Sequence, residues 1–520
     1  MKLKLLFILI LSAFFIGCTD GSDDSNNYYS SNNYNNSNYN DGGVNNNTQN
    51  LNNSNNQNNT NNTSNTTTTN NTTELTPEEL LELLCQDAPE EEVTYFMSAD
   101  DSGSQAHAML AKHNIQKGSC YYLMGNPPRE YEFLNYYSFN YERPAAGSLG
   151  ITPQMMLDND GMYKLLVGVV SESREIEDRR SLHFVFSIDT SGSMSGEPLE
   201  NVKHVLRALA PRMRVGDIVS LVEWSNTQEV LLEAHEVSGP NDLDFLNVVN
   251  NLASSGSTDL HAGLVTAYDL ANQYYSAERL TRVFLVSDGG ANTGITDEEI
   301  IGNAASMQEG EGIFMIGIGT SDYYNHQLMD RVTDLGRGAY VYVNDETAAY
   351  EVFSEERFLS NVDVAALGVR LEVTLPPAFI VAQFHGEEIS TNPDEVRPQH
   401  LAPNDAMLYH SSLADCGSED PASETVTFRV TWMDPLTRNP MEETISITIG
   451  ELLEGPVDKL LKSNLIVNYA RWIAGLEVYE SEELDRATQK SRLLEELQTL
   501  YSETQDEDLS EIISLLGTCN

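Results

Sequence analysis

The sequence runs to 520 residues and carries 79 acidic side chains against 29 lysines and arginines, a formal net charge of −50. That length predicts two to four domains and leaves ample chain for a large buried sheet. So large an excess of carboxylate excludes phosphate backbones and anionic lipid surfaces as partners, because both need clustered Lys and Arg.

The first residues, Met1–Lys4, are basic, and an apolar run from Leu5 to Ile16 follows, ending in Gly17 and Cys18. This is the layout of a secretory leader, and at about 14 residues the run is short of the roughly 20 that span a bilayer as a helix. Phe15-Ile16-Gly17-Cys18 resembles the bacterial lipobox, where the leader is cut before a cysteine bearing a diacylglycerol. The resemblance implies a leader over 1–17, lipid on Cys18 and a place in the bacterial cell envelope. Thr19 after the cysteine implies the outer membrane where a cell has one. Residues 18–73 are Asn, Ser, Thr and Tyr with almost no aliphatic side chains, a composition that cannot form a core. They read as a disordered tether with a reach of about 40 Å.

Cys85, Cys120, Cys416 and Cys519 form an even set without a C-x-x-C spacing, so disulfides are expected rather than zinc or a redox dithiol. Three connectivities are open. Cys85 with Cys120, closing the N-terminal segment on itself, and Cys416 with Cys519 is the preferred pairing.

Residues 74–175 read as an α/β extension: a helix from Thr76 through Cys85, a strand over Val93–Met97, a helix over Gln105–His113 and an aromatic run Tyr131–Tyr141. Over 176–362 the pattern becomes regular. Apolar runs at Leu182–Ile188, Ile218–Val222, Val283–Val286, Ile313–Ile318 and Ala339–Val343 read as strands buried on both faces. Amphipathic stretches at Leu199–Arg212, Leu243–Leu252, Leu260–Tyr274 and Asp297–Met307 alternate with them as helices. That alternation predicts an α/β fold: a doubly wound, mostly parallel sheet with helices on both faces, whose ligands bind at the carboxyl ends of the strands. Residues 363–452 alternate instead, with strands over Val369–Leu375, Phe379–Phe384, Thr425–Trp432 and Glu443–Ile449, and read as a β-rich domain. Residues 453–520 read as helices, Pro456–Leu476, Glu482–Leu500 and a short acidic one.

The chemistry gathers at the ends of the buried strands. The first runs into Asp189-Thr190-Ser191-Gly192-Ser193, a D-x-S-x-S pattern in which residues two apart can turn three oxygens toward one point. Gly256-Ser257-Thr258-Asp259-Leu260 opens a helix with another hydroxyl, and Val286-Ser287-Asp288-Gly289 brings a second carboxylate to the same edge. Two carboxylates and three hydroxyls are a hard, all-oxygen set suited to Mg²⁺ or Mn²⁺, and less specifically to Ca²⁺.

These residues resemble the metal-ion-dependent adhesion site of von Willebrand factor A domains. The resemblance implies that Asp189, Ser191, Ser193, Thr258 and Asp288 hold the ion, some through water, and that a partner protein supplies an Asp or Glu to the remaining position. Glu130–Tyr141 is similar to the extension that precedes the A domain in a bacterial group. The expected function is therefore a surface-anchored lipoprotein that binds a partner through a divalent cation.

Two alternatives stand beside it: an envelope scaffold with a structural metal, and a metal-dependent hydrolase. The hydrolase needs a general base near the ion, and the metal loops offer only Glu197 and Asp259; no enzyme activity is expected. The ten histidines include no H-x-x-x-H pair, and His183, inside the first strand, reads as a core residue. A second D-x-S-x-S, Asp100–Ser104, has no matching Thr and Asp at later strand ends and reads as a polar turn.

Overall fold

The computed structural model describes residues 82–120, 128–289, 312–321, 325, 328–329, 332–333, 336, 338–355, 357–479 and 484–519. The expected leader, Cys18, the expected tether, the helix expected over Asp297–Met307 and most of the one expected from Thr76 lie outside them. A 3₁₀ turn at Cys85–Asp87 precedes β1 (Val93–Ser98), α1 (Ala106–Gln116), α2 (Glu130–Tyr136), β2 (Gly150–Leu157) and β3 (Tyr163–Val170).

The central domain follows, with β4 (Ser181–Asp189), α3 (Glu197–Leu209), β5 (Ile218–Trp224), β6 (Gln228–Glu236), α4 (Leu243–Asn251), α5 (Leu260–Gln273), β7 (Arg279–Ser287), β8 (Ile313–Gly319), β9 (Tyr340–Tyr342), α6 (Glu346–Val352) and α7 (Phe358–Val362). Its sheet has the order β6-β5-β4-β7-β8-β9, and β4 pairs in parallel with both β5 and β7. Buried on both faces, β4 is apolar at Leu182, Phe184–Phe186 and Ile188, as crossover sheets favour. Phe184, Phe186 and Phe284 are fully buried, with Phe186 and Phe284 ring centres 5.0 Å apart, and each such ring contributes about 1.5–3 kcal/mol by burial alone. The sequence reading missed β6. It is the antiparallel edge strand, its first three residues are exposed, and so it lacks a buried strand's apolar run.

The C-terminal half holds β10 (Ala366–Leu375), β11 (Phe379–Phe384), β12 (Glu388–Ser390), β13 (Gln399–Leu401), β14 (Ala406–Asp415), β15 (Thr425–Met433) and β16 (Pro440–Thr448), then α8 (Ile449–Glu454), α9 (Asp458–Ile473), α10 (Arg486–Thr504) and α11 (Glu507–Thr518). The extension and the β-rich domain, expected as separate units, are interleaved. One sheet runs β12-β1-β10-β15-β16, with β13 also on β10, and the other runs β11-β14-β3-β2. The halves share their sheets: β1 is flanked by the C-terminal strands β10 and β12, and β3 pairs along its whole length with β14. Both faces that meet are apolar, with Met97, Met155, Val167, Leu371, Tyr409 and Phe428 in one core. The central domain is thus an insertion between β3 and β10 of a two-sheet sandwich.

The same interleaving joins the helices. Phe133 of α2 meets Tyr469 of α9 edge-on at 5.9 Å, and Lys112 of α1 donates to Glu511 of α11 at 2.7 Å. It also corrects the disulfide expectation. The bonds are Cys85–Cys416 and Cys120–Cys519, with Cα atoms 5.2 and 5.5 Å apart. Each N-terminal cysteine lies where its segment packs, and those neighbours come from the far end of the chain. Among the described residues no helix is long and apolar enough to cross a membrane.

Candidate metal centre

β4 and β7 deliver Asp189 and Asp288 to the same edge of the sheet because the two strands are parallel neighbours in register, Ile188 opposite Val286. Asp189 is completely buried, and Asp288 is buried as well. Beyond Asp189 the chain turns sharply. Ser191 N–H donates to Asp189 Oδ1 at 2.9 Å, and the Ser191 and Ser193 hydroxyls lie 3.0 Å apart. The alternation in D-x-S-x-S therefore places the carboxylate and both hydroxyls on one side of the turn. Ser191 is buried and Ser193 exposed, so the cluster opens to solvent at the Ser193 end.

The loop that carries Thr258 is laced to this turn and to the residue after β5 by backbone hydrogen bonds. Gly192 N–H donates to the Gly256 carbonyl at 3.0 Å, Ser255 N–H to that of Thr190 at 2.7 Å, and Asp259 N–H to that of Ser225 at 2.8 Å. Thr258 is buried there, directly before α5. Asp259 caps that helix, its carboxylate accepting from Ala262 N–H at 3.1 Å. Gly263 lets α5 lie close on β5: a Cβ there would sit 2.3 Å from the Trp224 ring. A larger residue would push the Thr258 loop off the sheet.

Ser287, which the sequence reading passed over, closes the group. Its hydroxyl donates to Asp189 Oδ2 at 2.7 Å and accepts from Gly289 N–H at 2.9 Å. A lone Ser at a strand end has no spacing that marks it. Burial pushes the Asp189 carboxyl up to about 6 despite the Ser191 and Ser287 donors, and the Asp288 charge adds to the rise. Among the described residues no Lys, Arg or His pairs with Asp189. Two buried carboxylates at adjacent strand ends, faced by hydroxyls, suit a hard divalent cation that would offset their repulsion.

Other polar groups have structural employment. In the second D-x-S-x-S, Asp101 Oδ1 accepts from His400 N–H at 2.6 Å and Ser102 Oγ from Ala402 N–H at 3.3 Å, which pins the β13 segment. His183 is buried, with Nε2 2.9 Å from Ser220 Oγ, and burial lowers its pKa to about 4, so it is a neutral core residue. His235, Asp242 and Asp244 also cluster. Asp242, however, accepts from Ser238 N–H and Oγ, Phe245 N–H and His235 Nε2, which uses both its oxygens as a helix cap. Glu197, the other candidate base, is exposed at the start of α3.

Residues 184–355 match the family model of the von Willebrand factor type A domain. The chain is 26% identical over 309 residues to the uncharacterised protein YfbK of Escherichia coli, covering 59% of this chain and 50% of that protein. It is 24% identical over 212 residues to the uncharacterised protein sll0103 of Synechocystis, covering 40% of this chain and 49% of that one. The chain thus spans about half the length of these curated relatives. Among solved structures, a von Willebrand factor type A protein from Catenulispora acidiphila covers 82% of this chain and 90% of its own at 12% identity, with a TM-score of 0.42. The central domain is an α/β von Willebrand factor A domain, carried with an N-terminal extension and C-terminal helices.

Proposed function

We propose that this chain is a lipoprotein of the bacterial envelope whose A domain binds a partner protein through a divalent cation. Asp189, Ser191, Ser193, Thr258 and Asp288 hold Mg²⁺ or Mn²⁺, and a partner's Asp or Glu completes the shell. The observation that carries this reading is the buried Asp189 carboxylate, which neighbours a second acid and has, among the described residues, no basic side chain to neutralise it. The bound cation supplies charge and an open coordination position. The chain's own residues orient the donors, and the exposed Ser193 leaves the approach clear. Binding is favoured over hydrolysis because Asp259 is engaged as a helix cap and Glu197 stands at the exposed start of α3. Cys18 carries the lipid, and the Asn-rich segment is the tether, on the strength of the lipobox resemblance alone.

Titration calorimetry with Mn²⁺ on the full chain and on Asp189→Ala tests the site. The expected result is binding by the first and at least a hundredfold weaker binding by the second, and equal uptake by both would end the proposal. Cys18→Ser should lose membrane association in a detergent-partitioning experiment.

A further inference from the structure

Resting on that metal-binding reading, we infer that Ser287 is the residue that positions Asp189 for the cation, acting through the carboxylate rather than as a ligand itself. Ser287 is completely buried at the last position of β7, one residue before Asp288. Its hydroxyl has one proton and two lone pairs. The Gly289 amide occupies the acceptor side at 2.9 Å, and Asp189 Oδ2 lies on the other at 2.7 Å. A carboxylate offers no proton when ionised, so the hydroxyl proton must point to Oδ2.

With Ser191 N–H fixed on Oδ1, both oxygens of Asp189 have a defined donor, which removes the rotation that would otherwise carry the carboxylate away from Asp288. The chain from Gly289 N–H through Ser287 to Asp189 also ties the two acidic loops together, so placing one places the other. Gly289 reinforces the arrangement, since its φ of +73° lets its amide turn back toward Ser287. Donors behind a metal-ligating carboxylate set its orientation, and losing one costs about 10–100-fold in affinity.

The test measures Mn²⁺ affinity by electron paramagnetic resonance on the full chain in four forms: wild type, Asp189→Ala, Ser287→Ala and Val286→Ala. Val286 is equally buried in the same strand and is a control for packing loss. The expected result is about a tenfold weakening in Ser287→Ala, affinity within twofold of wild type in Val286→Ala, and near-complete loss in Asp189→Ala. Wild-type affinity in Ser287→Ala, or equal weakening in both strand variants, overturns the positioning role while the metal site stands. Equal Mn²⁺ uptake by wild type and Asp189→Ala overturns the site itself and this inference with it.

Discussion

Arg179 and Asp217 form a two-pronged buried ion pair at the amino edge of the A domain's sheet, Nη1 to Oδ1 at 2.9 Å and Nη2 to Oδ2 at 2.6 Å. Asp217 also accepts from Leu182 N–H at 2.8 Å and Arg214 N–H at 2.9 Å, so one carboxylate fixes the starts of β4 and β5 together. Asp217→Ala leaves a buried guanidinium without its partner and should cost about 3–5 kcal/mol. Thermal unfolding is expected to show a drop of several degrees. Mn²⁺ affinity should stay unchanged, because Asp189 lies at the opposite end of β4. A variant as stable as wild type would show that this carboxylate does not hold the two strand starts together.

The disulfides make a prediction that needs no mutation. Peptide mapping of the unreduced protein should recover Cys85 linked to Cys416 and Cys120 linked to Cys519. Their closures span 331 and 399 residues, and in the chain-entropy account each alone restricts the unfolded chain by about 6 kcal/mol. Reduction should therefore lower the unfolding temperature sharply, and a Cys85–Cys120 peptide would contradict the interleaved fold.

Asp189 gives the metal-free protein a pH dependence of defined sign. Its folded pKa of about 6 lies above the ordinary value of 3.8, so the folded state binds the proton more tightly than the unfolded one. The associated stability is present below about pH 4 and lost as pH rises through 6, a difference of about 3 kcal/mol. In chelator, Asp189→Asn should exceed wild type in stability at pH 7.5, and that margin should shrink toward pH 4.5. A margin independent of pH, measured by urea unfolding at both values, would show that Asp189 titrates normally. Mg²⁺ should remove the penalty at neutral pH and bind more weakly below pH 6, where protons compete for the same oxygens.

Gly289→Ala tests the turn beyond the second carboxylate. An added Cβ would lie 2.9 Å from the Asn325 carbonyl oxygen, and the left-handed φ alone costs about 1–2 kcal/mol. Both strains bear on Asp288, whose carbonyl accepts from Asn325 N–H at 3.1 Å. The expected result is a fall in Mn²⁺ affinity of about tenfold or more alongside modest destabilisation. Unchanged affinity would show that the turn is not needed to place Asp288.

The central sheet was legible because strands buried on both faces must be largely apolar, as Leu182–Ile188 is apart from His183 and Ser187. The edge strand β6 was not, since exposure frees it from that requirement. Strands β2 and β3 also escaped: they pair with each other as a hairpin, but β3 is held on its other side by β14, more than two hundred residues on, and no local pattern encodes the pairing of Val167 with Tyr409. For the same reason the cysteines were paired by proximity in sequence, and the fold pairs them otherwise. At the candidate metal centre, the motif spacing pointed to Asp189, Ser191, Ser193, Thr258 and Asp288. It could not point to Ser287, whose importance lies in a hydrogen bond across strands.

The insertion of the A domain between β3 and β10 has a mechanical side. A domain hung on a single linker can swivel about it, whereas this one is held by two chain crossings, one after Val170 and one before Ala366. Arg174 on the first is ion-paired to Asp363 on the second at 2.6 Å, which clamps the crossings together. Tension applied at the Asp189–Asp288 edge therefore divides between two parallel attachments and passes into a sandwich closed by Cys85–Cys416. A pull at that edge would load the sheets along this doubled path instead of peeling the domain from one end.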